Sequence, residues 1–567
     1  MPSGAATAPT AATGGAGGAT ASIYAARPWL GLLSEAQRGP IDPPPTALHA
    51  FRDAAARTPD HPALAYFDHR LSYRDTDALS DSVAGHLAAR GVERGDRVAV
   101  MLQNSPHFVL ALLGAWKAGA TVVPLNPMYK AAEVGHALRD SGARAVICSD
   151  RAWDGHVRAT AAETGVPVAL TADERGLQTR DDPRVLAFDP VPTEVDDLLA
   201  VARAGHPAPE GREPTTDDIA LISYTSGTSG TPKGALNLHR GIVHNAERQR
   251  TGHPVPPGAV YFVLAPLFHI TGLVCELAAC FANGGTLALA YRFEPGVVLD
   301  AFLEHRPAFT VGPSTAFMAL AAHPAATPDH FSSFLVVSSG GAPVPPALVE
   351  TFRARFGPYL RNGYGLTECT APCAAVPPQH EAPVDPVSGT LSVGVPGADT
   401  VVRILDENGA EVPFGEHGEI AVRGPQVVPG YWRQPEATAA AFPDGELRTG
   451  DIGFVDEDGW LYVVDRKKDM INASGFKVWP REVEDVLYTH PAVREAAVVG
   501  VPDAYRGESV KAYVSLRPGA HAEPAELSAY CERRLAAYKY PRQVEILPEL
   551  PKTTSGKILR RDLRSRK

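Results

Sequence analysis

A short segment rich in glycine and hydroxyl groups is the first candidate for chemistry in this sequence. "YTSGTSGTPKGAL", from Tyr224 to Leu236, holds three glycines, three threonines, two serines, one proline and one lysine. Such a segment buries little side chain, but it offers backbone N–H groups, hydroxyl donors and the Lys233 cation to an anion. The combination predicts a polyphosphate ligand.

The residues on either side predict how this loop is held. "IALISYT" is typical of a buried strand, and "ALNLHRGIVHNAERQR" after Gly234 has helical spacing. We therefore expect a strand, the loop and then a helix whose N-terminus faces the anion. The Walker pattern needs Ser or Thr after its lysine, whereas Gly234 follows Lys233, so the segment is not a P-loop. For the segment taken alone, a flexible surface loop is the alternative.

Five further segments accompany this loop. They are "SSGGAPV" (Ser338–Val344), "NGYGLTE" (Asn362–Glu368), "RTGD" (Arg448–Asp451), "DRKKDMINASGFKVWPREVE" (Asp465–Glu484) and "LPKTTSGKILRRDL" (Leu550–Leu563). In this order the segments resemble those of the adenylate-forming (ANL) superfamily, which includes acyl-CoA synthetases, beetle luciferases and the adenylation domains of peptide synthetases. The resemblance covers roughly residue 46 to the end, and it is greatest to the fatty-acid and aryl-acid CoA ligases.

The resemblance implies a reaction in two steps. A carboxylate first attacks the α-phosphate of ATP and releases pyrophosphate, and a thiol then attacks the acyl-adenylate. The implied ATP-binding residues are Thr225, Ser226, Gly227, Thr228, Ser229, Gly230, Thr231, Lys233, Gly341, Ala342, Pro343, Tyr364, Gly365, Asp451 and Arg466.

Each group has an implied role toward ATP. The loop from Thr225 to Lys233 holds the β- and γ-phosphates, and Tyr364 stacks on adenine beside the backbone of residues 341–343. Asp451 accepts hydrogen bonds from both ribose hydroxyls, a task that suits a two-oxygen acceptor, and Arg466 reaches the ribose and phosphate. A buried core tyrosine and a turn aspartate are the alternatives for Tyr364 and Asp451.

The catalytic residues implied by the resemblance are Lys557, Glu368, Thr367 and His269. Glu368 holds Mg²⁺, a hard ion that prefers oxygen ligands, so this glutamate is also the metal ligand. Thr367 contacts the α-phosphate, and Lys557 bridges the acid's carboxylate and the nucleotide. The alternative for Lys557 is a solvated lysine on a glycine turn. Lys468 matches the hinge about which the small unit rotates between the two steps.

The identity of the acid is indicated by "PLFHITG" (Pro266–Gly272). Amino-acid-activating members carry aspartate where this chain has His269, and histidine provides no permanent anion for a substrate ammonium. We therefore expect a plain carboxylic acid, namely a medium- or long-chain fatty acid or an aryl acid. A core histidine is the alternative for His269. The predicted acyl pocket consists of His269, Thr271, Gly272, Gly312, Thr315 and Gly340.

The acceptor is indicated by "SGFKVWPREVE" (Ser474–Glu484), which resembles the version found in the CoA-using branch. Ser474, Gly475 and Phe476 then form the predicted thioester face, on which CoA is the second substrate. The alternative is a free-standing adenylating enzyme that passes the acid, or a small oxyacid, to a carrier protein or an amine in secondary metabolism. Acyl length, pathway and oligomeric state stay open.

These residues must be positioned by an α/β fold. Short buried strands such as "DRVAVML", "TVVPLN" and "FTVGPS" alternate with helical segments, which predicts parallel-type sheets covered by helices. After residue 398 the sequence pattern changes to short strands separated by many turn residues, which is typical of an antiparallel sheet. The expected architecture is a large N-terminal domain of two α/β subdomains plus a small β-barrel-like subdomain, followed by a small mobile α+β domain, as in luciferase. The expected boundaries are a disordered low-complexity tail (1–45), an AMP-binding domain (46–465) and a mobile domain (466–567).

The bulk composition excludes several classes of protein. The chain of 567 residues carries a formal net charge of −11, which argues against nucleic-acid binding. Six cysteines without zinc-ligand spacing predict reduced cytosolic thiols. The longest apolar stretch is interrupted by Lys117 and two glycines, so no membrane span is expected. The N-terminus has no secretory signal pattern, and we expect a cytoplasmic protein.

Overall fold

The computed structural model describes residues 22–225, 232–473, 476–503, 507–553, 557–564 and 566. Two large sheets form the centre of the first 400 residues. In spatial order the nine-stranded sheet comprises Val395–Pro396, Ala374–Ala375, Leu360–Tyr364, Val336–Ser339, Phe309–Gly312, Val260–Phe262, Thr286–Leu289, Pro62–Tyr66 and His69–Ser72. The seven-stranded sheet comprises Asp196–Asp197, Val168–Ala172, Ala145–Ser149, Arg97–Met101, Thr121–Pro124, Ile219–Thr225 and Lys233–Leu238.

The central strands of both sheets are parallel, as the alternation of strands and helices predicted. Val98 pairs with Val122 and with Ala145, for example, in parallel register. These strands read as continuous apolar runs because helices cover both faces of the sheet. Every residue of the helix Pro106–Lys117 is buried, since its apolar side chains belong to the core shared by the two sheets.

The α-helices of the described residues begin at recognisable signals. Ser72 and Asp75 form a capping box at the start of Tyr73–Ala89, and several helices carry proline in the first turn. The α-helices are Glu35–Arg38, Ala47–Arg57, Tyr73–Ala89, Pro106–Lys117, Ala131–Ser141, Asp150–Ala152, Arg158–Thr164, Pro183–Leu186, Leu198–Arg203, His239–Gly252, Ala279–Ala282, Pro295–His305, Ser314–Ala322, Pro346–Phe356, Pro435–Ala441, Pro480–Tyr488, Pro524–Glu532 and Arg560–Arg564. The π-helical segments are Trp153–Val157 and Gly272–Ala278. The 3₁₀ segments are Ile23–Ala26, Pro28–Leu32, Pro328–Phe331, Thr367–Cys369, Pro443–Gly445 and Lys467–Asp469.

A four-stranded antiparallel sheet follows the two large sheets and forms the predicted small β-subdomain. Its strands are Val401–Leu405, Gly418–Arg423, Leu447–Val455 and Leu461–Arg466. The C-terminal part of the chain folds around a mixed sheet of its own. The strands of that sheet are Phe476–Val478, Ile471–Ala473, Gly507–Leu516 and Val493–Asp503, with Gln543–Ile546 pairing along Gly507–Leu516.

The expected disordered tail is wrong for residues 22–45. The side chains of Tyr24 and Trp29 are fully buried in the core of the β-subdomain, and the Tyr24 hydroxyl donates to the Val412 carbonyl at 2.9 Å. Low complexity ends before these aromatic residues, which supply enough apolar surface to dock this segment. The rest of the expected tail, residues 1–21, lies outside the described residues.

Candidate active site

The glycine-rich loop joins two antiparallel strands, so the predicted strand–loop–helix arrangement is wrong. Residues 233–238 form a strand paired with Ile219–Thr225, and the helix begins only at His239. Thr225 and Lys233 face each other at the last pair of this hairpin. The alternating burial of Ala235, Leu236 and Asn237 against the sheet outweighs their helical spacing. The predicted ligands Ser226, Gly227, Thr228, Ser229, Gly230 and Thr231 lie outside the described residues.

Glu368 lies beside the base of this hairpin. Its Oε1 accepts hydrogen bonds from the Thr225 hydroxyl at 3.5 Å and from the Tyr431 hydroxyl at 3.0 Å. Lys233 Nζ lies 5.1 Å from the centre of the Tyr431 ring. The neighbouring Thr367 carbonyl accepts from Asn237 Nδ2 at 2.9 Å, which ties the Glu368 turn to the second strand of the hairpin. Of the predicted phosphate and metal residues, the described ones, Thr225, Lys233, Thr367 and Glu368, therefore come together.

A second cluster forms where Leu360–Tyr364 meets the β-subdomain. The Tyr364 hydroxyl donates to Asp451 Oδ2 at 2.7 Å, and Arg466 Nε lies 3.5 Å from Asp451 Oδ1. Asp451 and Arg466 are direct partners on neighbouring antiparallel strands, which accounts for their proximity. Burial raises the pKa of the Asp451 carboxyl, and the Arg466 guanidinium opposes that rise.

The glycines near this cluster have two different surroundings. Gly341 adopts φ +76°, a conformation that disfavours other residues, and a Cβ there would meet nothing within 4 Å. A Cβ at Gly365 would lie 2.9 Å from the Pro372 Cα atom, so only glycine permits that approach. Between them, Ala342 is half-buried, Pro343 is exposed, and the Pro343 carbonyl accepts from the Ser314 hydroxyl at 3.0 Å. Gly341 thus leaves open space just after the strand Val336–Ser339, which pairs with Leu360–Tyr364.

Lys557 reaches this site from the C-terminal part of the chain. Burial and the Arg466 guanidinium lower the pKa of the Lys557 ammonium to about 8, while Asp451 acts in the opposite direction. Burial and the Lys557 charge lower the pKa of His269 to about 4. Lys557 therefore interacts electrostatically with Arg466 and Asp451, and His269 interacts with Lys557.

The segment that carries Lys557 is held by a half-buried cation, Arg560, three residues further on. Arg560 donates to Asp465 Oδ1 at 2.8 Å and to Glu484 Oε2 at 2.6 Å, and it lies 3.4 Å from Asp469 Oδ2. Asp465 and Asp469 flank the exposed predicted hinge residue Lys468. The contacts of Arg560 therefore span the predicted domain boundary in this conformation.

The predicted acyl-pocket residues lie in the loop that carries His269 and near the carboxyl ends of the strands Phe309–Gly312 and Val336–Ser339. His269 and Thr271 are half-buried, and His269 Nδ1 accepts from the Thr271 N–H at 3.3 Å. A Cβ at Gly272 would lie 2.3 Å from the Pro266 carbonyl oxygen, and one at Gly312 would lie 2.6 Å from Leu264 Cδ2. Gly272 and Gly312 thus serve close packing. The remaining predicted members, Thr315 and Gly340, are half-buried beside the Pro343 segment.

The predicted thioester face lies mostly outside the described residues. Ser474 and Gly475 are not among them, and Phe476 begins the strand Phe476–Val478. The six cysteines are free and buried, in line with the expected reduced thiols. Among the described residues, no group of three or more His, Cys, Asp or Glu side chains has the arrangement of a metal cluster. None of the described helices combines the length and apolarity needed to cross a membrane.

Two site-forming residues were missed by sequence reasoning. Tyr431 contacts Glu368, and Arg560 holds the Lys557 segment. Arg560 lies inside the quoted segment "LPKTTSGKILRRDL", where its spacing from Lys557 was the available signal. Tyr431 belongs to "GPQVVPGYWRQPEAT", a run of Gly, Pro and aromatic residues between two predicted strands, which indicated only a loop.

Comparisons with known proteins agree with this geometry. Residues 51–432 match the family model described as AMP-binding enzyme, and residues 482–557 match the AMP-binding enzyme C-terminal domain. A long-chain-fatty-acid–CoA ligase of Bacillus subtilis (strain 168) is 36% identical over 563 residues, which span 95% of this chain and 97% of that protein. A feruloyl-CoA synthase of an Amycolatopsis species is 37% identical over 513 residues, 90% of this chain and 97% of that protein.

A solved structure shares the fold as well as the sequence pattern. The crystal structure of ATP-bound MatB from Rhodopseudomonas palustris superposes with a TM-score of 0.80 at 30% identity, covering 92% of this chain and 98% of that one. The family model of the AMP-binding enzyme alone spans more than half of the chain. The chain therefore belongs to the AMP-binding enzyme family of the adenylate-forming superfamily, in which it is an AMP-forming acid–thiol ligase, an acyl-CoA synthetase.

Proposed function

We propose that this acyl-CoA synthetase activates a medium- or long-chain fatty acid or an aryl acid. The acid's carboxylate displaces pyrophosphate from ATP, and the acyl group of the resulting adenylate passes to the thiol of CoA. The observation that carries the proposal is the contact of Tyr364 with Asp451, 87 residues away in sequence, which also lies beside Arg466. The names of the relatives, a fatty-acid ligase and a feruloyl-CoA synthase, support both classes of acid.

The described residues fit a triphosphate together with Mg²⁺. Glu368 and Thr225 present a carboxylate and a hydroxyl to the base of the hairpin, and these oxygen donors suit a hard divalent ion. Lys233 supplies the cation on the facing strand. Glu368 would hold Mg²⁺, which when bound neutralises phosphate charge. The loop from Thr225 to Lys233 would hold the β- and γ-phosphates, with Thr367 at the α-phosphate.

The nucleoside would lie along the second cluster. Asp451, oriented by the Tyr364 hydroxyl, would accept from the ribose hydroxyls, and Arg466 would reach the ribose and phosphate. The ring of Tyr364 would stack on adenine beside residues 341–343 and Gly365. The open space beside Gly341 supports this placement. Because the groups are held by strands, the nucleotide would meet preorganised partners.

Lys557 would then join the two reactants. Adenylation brings an anionic carboxylate to an anionic phosphate, so a cation between them offsets the repulsion and the charge of the transition state. Lys557 is half-buried, so water would only partly screen its charge and its interaction with either anion would be strengthened. Arg560 keeps the Lys557 segment in place during this step.

The acyl part would lie in a pocket without a fixed charge. His269 has its pKa lowered to about 4, so the imidazole is neutral near pH 7 and pairs with no substrate ammonium or second carboxylate. Thr271, Thr315 and the glycines 272, 312 and 340 provide small walls. This lining suits an uncharged chain or ring.

The thioester step would use another arrangement of the same chain. Rotation of the C-terminal domain about Lys468 would withdraw Lys557 and bring Ser474, Gly475 and Phe476 toward CoA. That rotation has to separate Arg560 from Asp465, whereas the contact of Arg560 with Glu484 lies within the C-terminal domain. Adenylation and thioester formation are therefore separable by mutation.

Pyrophosphate release with a panel of acids tests the proposal. We expect release with octanoate, palmitate, benzoate or ferulate, and an acyl-CoA product when CoA is added. Release without any thioester would favour the alternative, transfer to a carrier protein or an amine. A lack of release with every fatty and aryl acid, but release with a small oxyacid or an amino acid, would overturn the assignment of the acid.

A further inference from the structure

The segment from Val428 to Trp432 runs along the outer edge of the hairpin's second strand. The Leu236 N–H donates to the Gly430 carbonyl at 3.1 Å, and the Trp432 N–H donates to the Gly234 carbonyl at 2.8 Å. Between these two hydrogen bonds, Tyr431 forms an antiparallel bridge with Ala235. The backbone of Tyr431 is therefore fixed to the strand that carries Lys233.

Tyr431 is anchored on its other side by the helix Pro435–Ala441. Its N–H donates to the Thr438 hydroxyl at 3.0 Å, and its ring packs edge-on against Phe442 at a centroid distance of 5.5 Å. The Tyr431 side chain is therefore held on one side by the hairpin and on the other by this helix and Phe442.

From this fixed position Tyr431 contacts both charged groups of the phosphate site. Its hydroxyl donates to Glu368 Oε1 at 3.0 Å, and Lys233 Nζ lies 5.1 Å from the ring centre. The Val428 N–H donates to the Glu368 carbonyl at 2.9 Å, so the same segment holds the main chain of Glu368 as well. A cation near an aromatic face is attracted by the ring quadrupole.

We propose that Tyr431 is a positioning residue that fixes the Glu368 carboxylate relative to the Lys233 ammonium. The proposal rests on the proposed function, in which these two groups face one triphosphate and its Mg²⁺. A glutamate side chain without a partner samples several rotamers, whereas a donor whose backbone is bonded to a strand selects one rotamer and leaves Oε2 for the ion. Removal of a residue that hydrogen-bonds to a metal ligand typically weakens metal affinity by about 10–100-fold.

Tyr431→Phe tests the hydroxyl while it keeps the ring. We expect the dissociation constant of Mn²⁺, measured by electron paramagnetic resonance with a non-hydrolysable ATP analogue present, to rise by about 10-fold or more. The KM for the acid should stay unchanged, because Tyr431 contacts none of the predicted acyl-pocket residues. Tyr431→Leu also removes the ring beside Lys233, so it should weaken binding of the ATP analogue further than Tyr431→Phe does.

Tyr24→Phe is the matched control. Tyr24 belongs to the apolar core of the β-subdomain, against which Tyr431 also packs. Its hydroxyl donates a hydrogen bond to the Val412 carbonyl and not to Glu368. This variant should show unchanged Mn²⁺ affinity even where its melting temperature falls. Equal Mn²⁺ affinity in wild type and Tyr431→Phe would overturn the proposal. A loss of Mn²⁺ affinity in Tyr24→Phe as large as that in Tyr431→Phe would overturn it as well.

A double-mutant cycle separates positioning from general destabilisation. In a Glu368→Gln background, Tyr431→Phe should have no further effect on binding of the ATP analogue, because the group that it positions has already lost its charge. A full additive loss would overturn the proposal. If Tyr431→Phe fails to fold, Thr438→Val is the second variant, because it removes the hydroxyl that accepts from the Tyr431 N–H. Thr438→Val should also raise the dissociation constant of Mn²⁺. Wild type that binds Mn²⁺ with the analogue but activates no acid would refute the proposed function alone.

Discussion

The Tyr364 hydroxyl donates a 2.7 Å hydrogen bond to Asp451 Oδ2 across a separation of 87 residues. This contact joins the large α/β unit to the β-subdomain at the point where the nucleoside is proposed to bind. Asp451 is buried, and burial raises the pKa of its carboxyl. The hydroxyl and the Arg466 guanidinium counteract that rise, and both contacts orient the carboxylate toward the proposed ribose position.

Tyr364→Phe should weaken ATP binding by about 10-fold or more, because a hydrogen bond to a charged group contributes about 1.5–3 kcal/mol. The KM for ATP and the dissociation constant of an ATP analogue measure this effect. Tyr359→Phe is the control, since the Tyr359 hydroxyl accepts from the Ala382 N–H at 2.8 Å away from Asp451. Equal ATP affinity in the two variants would refute an orienting role for Tyr364.

Lys557→Ala should lower the rate of acid-dependent pyrophosphate release by about 10²–10³-fold, the usual loss for one preorganised charged donor. Thioester formation from supplied acyl-adenylate and CoA should be largely retained, because that step does not need Lys557 beside the phosphate. Lys552→Ala is the control, since Lys552 pairs with Glu495 at 2.6 Å within the C-terminal domain. An equal loss of both half-reactions in Lys557→Ala would contradict the two-conformation proposal.

The pH dependence of adenylation should report on Lys557. Burial and Arg466 lower the pKa of this lysine to about 8, so its ammonium loses the proton as the pH rises through that value. Because the cation is the active form, kcat/KM for pyrophosphate release should fall above pH 8 or so. Arg466→Met removes a neighbouring positive charge, and we expect the descending limb to move to higher pH. If kcat/KM falls at the same pH in Arg466→Met as in wild type, the titrating group is not Lys557.

Glu276 offers a test of stability outside the phosphate site. Its side chain is fully buried, Oε1 accepts from the Leu264 and Val311 N–H groups at 3.1 and 3.0 Å, and Oε2 has no partner among the described residues. Burial raises the pKa of this carboxyl well above its ordinary value. The unfolded chain releases the Glu276 proton above about pH 4.3, whereas the folded protein releases it only at a higher pH. The contribution of Glu276 to the free energy of unfolding therefore falls as the pH rises.

Glu276→Gln has no proton to exchange, so its free energy of unfolding should exceed that of wild type by about 1–3 kcal/mol at pH 8. The difference should shrink at pH 5, and urea unfolding at the two pH values measures it. Glu247→Gln is the contrasting variant, because Glu247 pairs with Arg250 at 2.5 Å and loses that charge pair. A Glu276→Gln protein that is less stable than wild type at pH 8 would disprove the interpretation.

Much of the architecture was predictable because buried parallel strands have a strong sequence signal. "DRVAVML" and "FTVGPS" are apolar runs that the sheets bury on both faces, and both form strands at Arg97–Met101 and Phe309–Gly312. The order of motifs led to the family without any need for tertiary information. Residues such as Tyr364 and Asp451 were placed in one site only because the resemblance connected them.

The errors arose where local pattern and tertiary packing disagree. The residues after Gly234 have helical spacing, yet Ala235 and Asn237 are buried by pairing with the preceding strand, which local spacing does not reveal. Tyr431 was missed because its role depends on a bridge to Ala235, and aromatic residues in a turn-rich run carry no signal of such pairing. Tyr24 and Trp29 were assigned to a tail because their docking surface lies more than 370 residues further along the chain.

The anchored N-terminal segment sets a limit on how far the enzyme can be shortened. The matched family region starts at residue 51, whereas Trp29 packs so tightly on Gly459 that a Cβ there would lie 2.4 Å from the Trp29 nitrogen. Gly459 lies in the turn between the strands that carry Asp451 and Arg466. A version trimmed to residue 51 would uncover that turn and lose about 1.5–3 kcal/mol for each aromatic side chain removed. Because that turn lies between the strands of Asp451 and Arg466, we expect such a version to bind ATP less tightly even though every recognised motif is intact.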